Sequence, residues 1–352
     1  MIGFSFSIVT CWTALSGVFI VGVNAGGPPV MVYSWIAVSL ISLCVALPMA
    51  EMCSMYPVAG GQYSWVAILA PPRVARGFSY VAGWFMLIGI IAMGATNNFV
   101  TANFILGQAN LVFPEYVIQR WQTVLMAWLI AFIATGINLR GPQLLNKISH
   151  VLLWWNICSF IIITVTILAT NDNKQPVSFV FKEFQNFTGW GSVYAIGLTL
   201  GVQMALNAIY FGTLTGFETV ISIATEGFYL SYAMPLLSRL LAYYTGHFTA
   251  FTGPWAMSVP VSLCLNAIGL TYLLFGSITF NFPYSAPVDK DSMNYTSAAI
   301  GVIGVISVIT WMTTGHKHFT GPRLGPSEKP IIGEDLAAAA APRNEELAVK
   351  AG

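Results

Sequence analysis

Residues 4–23, 30–54, 77–106, 121–138, 148–169, 193–211, 213–237, 259–282 and 296–314 form a series of apolar runs. A helix needs about 20 consecutive apolar residues to cross the hydrocarbon core of a bilayer. Inside lipid, only helices and closed barrels satisfy every backbone N–H and C=O. The chain therefore reads as an all-α polytopic membrane protein. Its 8% charged residues set it apart from soluble domains, which carry about 25%. A net charge of +1 argues against nucleic acid as a partner, because nucleic acid calls for a basic face.

Where the charges stand sets an expected orientation. Arg73 and Arg76 follow the second run, Arg140 and Lys147 the fourth, Arg239 the 213–237 run, and Lys317 and Arg323 the last. Lys and Arg collect in cytoplasmic loops, so these four places read as inside. The acceptor sequons at Asn186 and Asn294 then fall outside, although Lys174, Lys182, Arg120 and Lys290 lie on that side too. The pattern has one internal conflict. Residues near Asn186 read as outside and 240–258 as inside, which needs an odd number of crossings. Hydropathy offers two between them, 193–211 and 213–237. At the N-terminus, Asn24-Ala25-Gly26 has the small residues of a cleavage site. The run before it lacks a basic n-region and is too long for an h-region, so it reads as a span. Cys11, Cys44, Cys53, Cys158 and Cys264 lie in or beside apolar runs without paired spacing. They read as small core hydrophobes.

Small and polar residues interrupt the first span at mid-depth, in Thr13-Ala14-Leu15-Ser16-Gly17-Val18-Phe19. Transporters break helices at such places, freeing backbone groups to bind substrate. A small-residue face packed on a neighbouring helix reads the same way. Beyond it come Ala25-Gly26-Gly27-Pro28, Ala50-Glu51-Met52 and Pro57-Val58-Ala59-Gly60-Gly61-Gln62-Tyr63. The second half adds Tyr229-Leu230-Ser231-Tyr232-Ala233-Met234-Pro235, Asn266-Ala267-Ile268-Gly269, Phe282-Pro283 and His316-Lys317-His318-Phe319-Thr320-Gly321-Pro322. Together these stretches resemble a permease of the amino acid–polyamine–organocation superfamily, nearest the fungal amino acid/choline (GABA-type) permeases. The resemblance covers about residues 1–323.

That resemblance implies a LeuT-type fold of twelve helices, ten of them in two inverted repeats, with substrate at mid-membrane between broken helices one and six. It implies Thr13, Ala14, Ser16 and Gly17 as substrate-binding residues. It also implies a cytoplasmic tail before helix one, and Met1 stands at the mouth of that helix. The chain departs from the pattern after Trp190-Gly191-Ser192-Val193-Tyr194. It soon enters Ala208-Ile209-Tyr210-Phe211-Gly212, which resembles the end of helix nine. The second half of helix six, helices seven and eight and most of nine have no counterpart, an internal deletion near 200–208. The expected fold is thus incomplete, about 8–9 of the twelve helices. Such a join would also account for the crossing conflict.

Other residues carry two readings each. Glu51 is a solvated charge at a helix end or an inner-gate contact. Glu218 and Glu226 lie inside an apolar run, where a carboxylate is expensive. They are coupling groups or drift in a damaged copy. Asn97 and Asn98 read as interhelical glue. Trp35, Tyr56, Trp65, Trp84, Trp121 and Trp190 read as interface anchors. His150, His247, His316 and His318 are too scattered for a metal site. No nucleotide, metalloprotease or hydrolase motif occurs, so neither an enzyme nor a cofactor is expected. The tail 324–352, with its Ala337–Ala341 run, reads as a disordered cytoplasmic end.

The expected function is secondary transport of an amino acid, GABA or a choline-like amine, coupled to a proton or cation. The expected setting is the lipid bilayer of the plasma membrane rather than the vacuole. The alternative is a membrane protein that does not transport, either an inactive fragment or a dominant-negative partner of a full-length permease.

Overall fold

The computed structural model describes residues 11–58, 60–139, 142–170, 175–182, 215–247, 253–282, 295–319 and 321. For 11–26, 142–146, 149–150 and 215–221 it describes the backbone alone. The helices are α1 (Cys11–Met55), α2 (Gln62–Leu69), α3 (Pro72–Val112), α4 (Arg120–Leu139), α5 (Pro142–Thr170), α6 (Val177–Phe181), α7 (Thr215–Tyr244), α8 (Val259–Thr279) and α9 (Thr296–Thr310). A π-turn, Trp311–Gly315, and a last helical turn, α10 (His316–His318), follow α9. The expectation for 193–211, the sequons Asn186 and Asn294, the 200–208 junction and the 324–352 tail lie outside the described residues.

Helix α1 breaks at Gly27, where φ is 75° and ψ is −172°. Glycine adopts that geometry without a Cβ penalty. Pro28 and Pro29 then restart the helix, since their fixed φ suits a first turn and their missing N–H is not needed there. The backbone is helical through Thr13–Phe19, where the sequence carried two readings, and the break falls ten residues beyond Gly17, at Gly27. Helix α2, too short to show in hydropathy, buries Ser64 through Leu69.

The elements meet around one core. Val45 and Met52 of α1, Trp65 of α2, Leu236 of α7 and Leu273 of α8 pack into it. Tyr56 and Trp65 are buried there, not at the interface, and Trp65 Nε1 donates to the Tyr56 carbonyl at 3.0 Å. Glycines set the closest crossings. A Cβ on Gly227 would stand 3.0 Å from the Gly89 backbone, so α3 and α7 touch main chain to main chain. A Cβ on Gly269 would stand 2.7 Å from the Cys44 carbonyl, which draws α8 against α1. This is how membrane helices associate when the surrounding lipid is as apolar as their side chains.

Outward faces are apolar: Leu40, Ile91, Trp128, Phe132, Trp155 and Ile161 are all exposed. Helices that are apolar on every face suit lipid, not water. Among the described residues six segments are long and apolar enough to cross a membrane: Gly27–Met55, Pro72–Val112, Arg120–Leu139, Val151–Thr170, Val259–Thr279 and Thr296–His318. Cys53, Cys158 and Cys264 are exposed on such faces and Cys44 is half-buried, so these four thiols are not core.

Contacts fix the direction of each helix. Arg76 Nη2 donates to the carbonyls of His316 (2.8 Å) and Phe319 (2.9 Å), placing the start of α3 beside the end of α10. Glu51 joins the end of α1 to the start of α8. One end of the bundle thus gathers Arg73, Arg76, Arg239 and Lys317, in keeping with the positive-inside expectation. At the opposite end, Tyr33 meets Phe181 with ring centroids 6.3 Å apart. Helix α7 runs from Glu226, which meets Asn281 past the end of α8, to Arg239, which faces Glu51 at the basic end. Residues 183–214, where the charge pattern conflicts, lie outside the described residues.

Candidate functional site

Helix α1 brings Glu51 to the basic end one turn before Met55. There it is not solvated: its side chain is 1% exposed. Oε1 accepts from the Met257 N–H at 2.8 Å and Oε2 from the Ser262 hydroxyl at 2.6 Å. The reading of Glu51 as a solvated helix-end charge is overturned. Its donors lie more than 200 residues on in the chain, where no local pattern points to them.

Three further features close this cluster. Ser54 Oγ accepts from the Trp255 N–H at 2.9 Å, pinning the segment before α8 against α1. A Cβ on Gly253 would stand 3.0 Å from Met55 N, so that segment passes close to the helix. Asn266, one turn beyond Ser262, donates through Nδ2 to the Ser262 carbonyl at 2.7 Å. Arg239 of α7 is fully buried and interacts electrostatically with Glu51, Tyr56 and Tyr243. It lies inside α7 and does not follow the span, as hydropathy suggested. Burial pushes the Tyr56 phenol up to about 12, against a smaller opposing influence of Arg239, so it stays neutral at ordinary pH. A carboxylate with both oxygens filled by donors and a guanidinium in its field is held in one geometry. It ties α1, α7 and α8 at the basic end.

Sequence reasoning missed Arg239, Ser262 and Asn266. The signal was present for the last two: Ser262 and Asn266 are polar residues four apart in an otherwise apolar helix, hence on one face.

Glu226 of α7 is also buried, at 6% exposed, but belongs to a different place. Its partner is Asn281, just past α8, whose Nδ2 stands 3.3 Å from Oε2. Ser262 and Asn281 lie at opposite ends of α8, and 19 residues at 1.5 Å each separate them by about 28 Å. Glu51 and Glu226 therefore cannot share a site. Glu218 has its backbone in α7, and its side chain lies outside the described part. The same holds for Thr13, Ala14 and Ser16 of α1, and Gly17 is placed by its helical backbone alone. Among the described residues no group of His, Cys, Asp and Glu is placed to hold a metal.

Comparison with known proteins gives this geometry its context. The family model described as amino acid permease matches residues 3–198. A protein of Macrophomina phaseolina, provisionally named for amino acid/polyamine transport, is 43% identical over 85% of this chain and 97% of its own. The choline transporter of Saccharomyces cerevisiae is 34% identical over 64% of this chain and 42% of its own. An amino-acid permease of Arabidopsis thaliana is 29% identical over 63% of this chain and 43% of its own. The chain thus spans less than half the length of these last two. The Macrophomina alignment covers 441 positions, whereas 85% of 352 residues is about 299, so about 142 positions have no counterpart here. No solved structure matches the chain.

Proposed function

This chain belongs to the amino acid permease family, and on that premise we propose that it moves an amino acid or a choline-like amine across a membrane. The observation that carries the proposal is the family match over residues 3–198, which takes in α1 to α6 together with Glu51. The amine is suggested by the choline transporter among its relatives. The mechanism is secondary transport: helix bundles rock around a mid-membrane site, and a proton or cation gradient supplies the drive. Thr13, Ala14, Ser16 and Gly17 contact substrate. Glu51 closes the inner face through Ser262 and the Met257 N–H, and Glu218 is a further candidate for coupling. Asn186 and Asn294 are glycosylated on the outer side, and the plasma membrane is the setting.

The shortfall against the Macrophomina relative lies in one internal block near 200–208, a placement supported by the end of the family match at residue 198. The permease region then covers 1–323, followed by the 324–352 tail. The same shortfall favours a second reading, in which the chain inserts but does not transport because one wall of its cavity is missing.

Uptake of labelled choline, GABA and a panel of amino acids by vesicles holding the purified chain tests the first reading. Saturable uptake of one class, lost in Ser16→Leu and Gly17→Leu, supports both transport and site. Uptake equal to empty vesicles for every compound favours the second reading. Uptake unaffected by either substitution removes residues 13–17 from the site.

A further inference from the structure

Glu226 stands eleven residues into the 30-residue α7, about 16 Å along its axis at 1.5 Å per residue. Its partner Asn281 stands just past the end of α8, so the carboxylate lies toward the far end of the bundle, and the side chain is 6% exposed. Among the described residues, every element packed against α7 is free of ionisable cations at this level. α2 holds no Asp, Glu, Lys, Arg or His, and neither do residues 77–112 of α3, 259–279 of α8, 296–310 of α9 or 27–50 of α1. On α7 itself the neighbouring charges are Glu218, two turns toward the far end, and Arg239, about 20 Å away toward the basic end. The phenols nearest in the packing are Tyr229 and Tyr232 of α7 and Tyr272 of α8. Tyr229 and Tyr272 bond each other, hydroxyl to hydroxyl, at 3.1 Å.

The carboxylate thus has one neutral donor, the Asn281 amide, at 3.3 Å. The same amide donates at 2.7 Å to the Ser277 carbonyl. Asn281 Oδ1 is buried and has no hydrogen-bond partner among the described residues. A buried carboxylate and a buried, unused amide oxygen thus belong to two side chains in contact, and among the described residues no cation is built in beside them. A bare carboxylate in a low-dielectric site is not sustained; it takes up a compensating charge.

We propose that Glu226 and Asn281 form a binding site for one exchangeable positive charge, either a proton or a small monovalent cation. The carboxylate takes the charge and Asn281 Oδ1 supplies the second oxygen. The site lies between α7 and the end of α8, about 28 Å from the Glu51 cluster along α8, so occupancy and inner-face closure are separate events. Its use as the coupling step rests on the permease reading. Its existence rests on packing alone.

Infrared difference spectroscopy of the purified chain in lipid nanodiscs separates a neutral carboxyl from a free or ion-bound carboxylate. Three additions are compared: a pH step, sodium chloride at fixed pH, and choline chloride at fixed pH. The expected result is a carboxyl signal in the pH or sodium arm that vanishes in Glu226→Gln. Asn281→Ala should shift its midpoint at least about tenfold in concentration, the size of a lost hydrogen bond or ligand. A pH-only signal identifies a proton, and a sodium response identifies a metal cation. Silence in both arms, a signal seen with choline alone, a signal retained in Glu226→Gln, or a midpoint unmoved in Asn281→Ala would overturn the proposal. Nanodiscs report this whether or not vesicles of the same chain take up substrate.

Discussion

Glu51 and Ser262 are 211 residues apart in the chain, and their carboxylate and hydroxyl oxygens are 2.6 Å apart in the fold. Removing the carboxylate strands the Met257 N–H and the Ser262 hydroxyl and takes away the negative charge that faces buried Arg239. Glu51→Ala should therefore destabilise the chain by about 3–5 kcal/mol, as loss of one partner in a buried charged network does. Glu51→Gln keeps one acceptor and should lose about 1–3 kcal/mol. Thermal unfolding in detergent measures both. An alanine variant as stable as the parent would show that Glu51 does not join α1 to α8.

The crossing of α3 and α7 makes a second, sharper comparison. Gly227→Ala places a methyl 3.0 Å from the Gly89 backbone, which cannot rotate away. Overpacking of this kind costs about 1–3 kcal/mol. Gly94→Ala on the same α3 meets nothing within 4 Å, and alanine is the better helix former by about 1 kcal/mol. The two variants should thus move the unfolding temperature in opposite directions. Equal shifts would contradict the main-chain contact.

Arg76 caps the end of α10 through the His316 and Phe319 carbonyls, beside the packed rings of Tyr80 and Trp311. A planar fork can serve both carbonyls, whereas an ammonium cannot reproduce that geometry. Arg76→Lys should speed hydrogen exchange across 311–319 and leave α1 unchanged. Protection identical to the parent would remove the cap.

Burial raises the Tyr56 phenol from 10.0 to about 12. A raised folded-state value means the stabilisation is complete below the unfolded value. It declines as pH climbs from about 10 toward 12, by about 1.4 kcal/mol per unit. Tyr56→Phe should flatten the stability profile in that window. A parent and variant that fall together there would show that Tyr56 is not buried as described.

Much of this architecture is legible in the chain because bilayer thickness imposes a long, unmistakable signal. The spans at 121–138 and 259–282 correspond to α4 and α8 within a few residues, and Arg73, Arg76, Arg239 and Lys317 gather at one end. What hydropathy could not show depends on distant partners or on lengths below a bilayer span. Helix α2 has eight residues, too few to register as a crossing. Tyr56 and Trp65 resemble interface anchors locally, yet α7 and α8 fold over them. Glu51 looks like any charge at a helix end until the start of α8 covers it. The helix break illustrates a different limit. Thr13–Phe19 offered a break by its small and polar residues, yet the positive φ stands at Gly27.

The central claim is that this chain moves a small amine or amino acid across a bilayer. Gradient-driven accumulation tests it most directly: vesicles of the purified chain, an imposed proton or sodium gradient, and labelled choline or amino acid outside. The account predicts accumulation above the equilibrium level that collapses when the gradient is dissipated. Label that never exceeds the level in empty vesicles, from protein shown to be folded and inserted, would contradict it and leave a permease-family protein that does not transport.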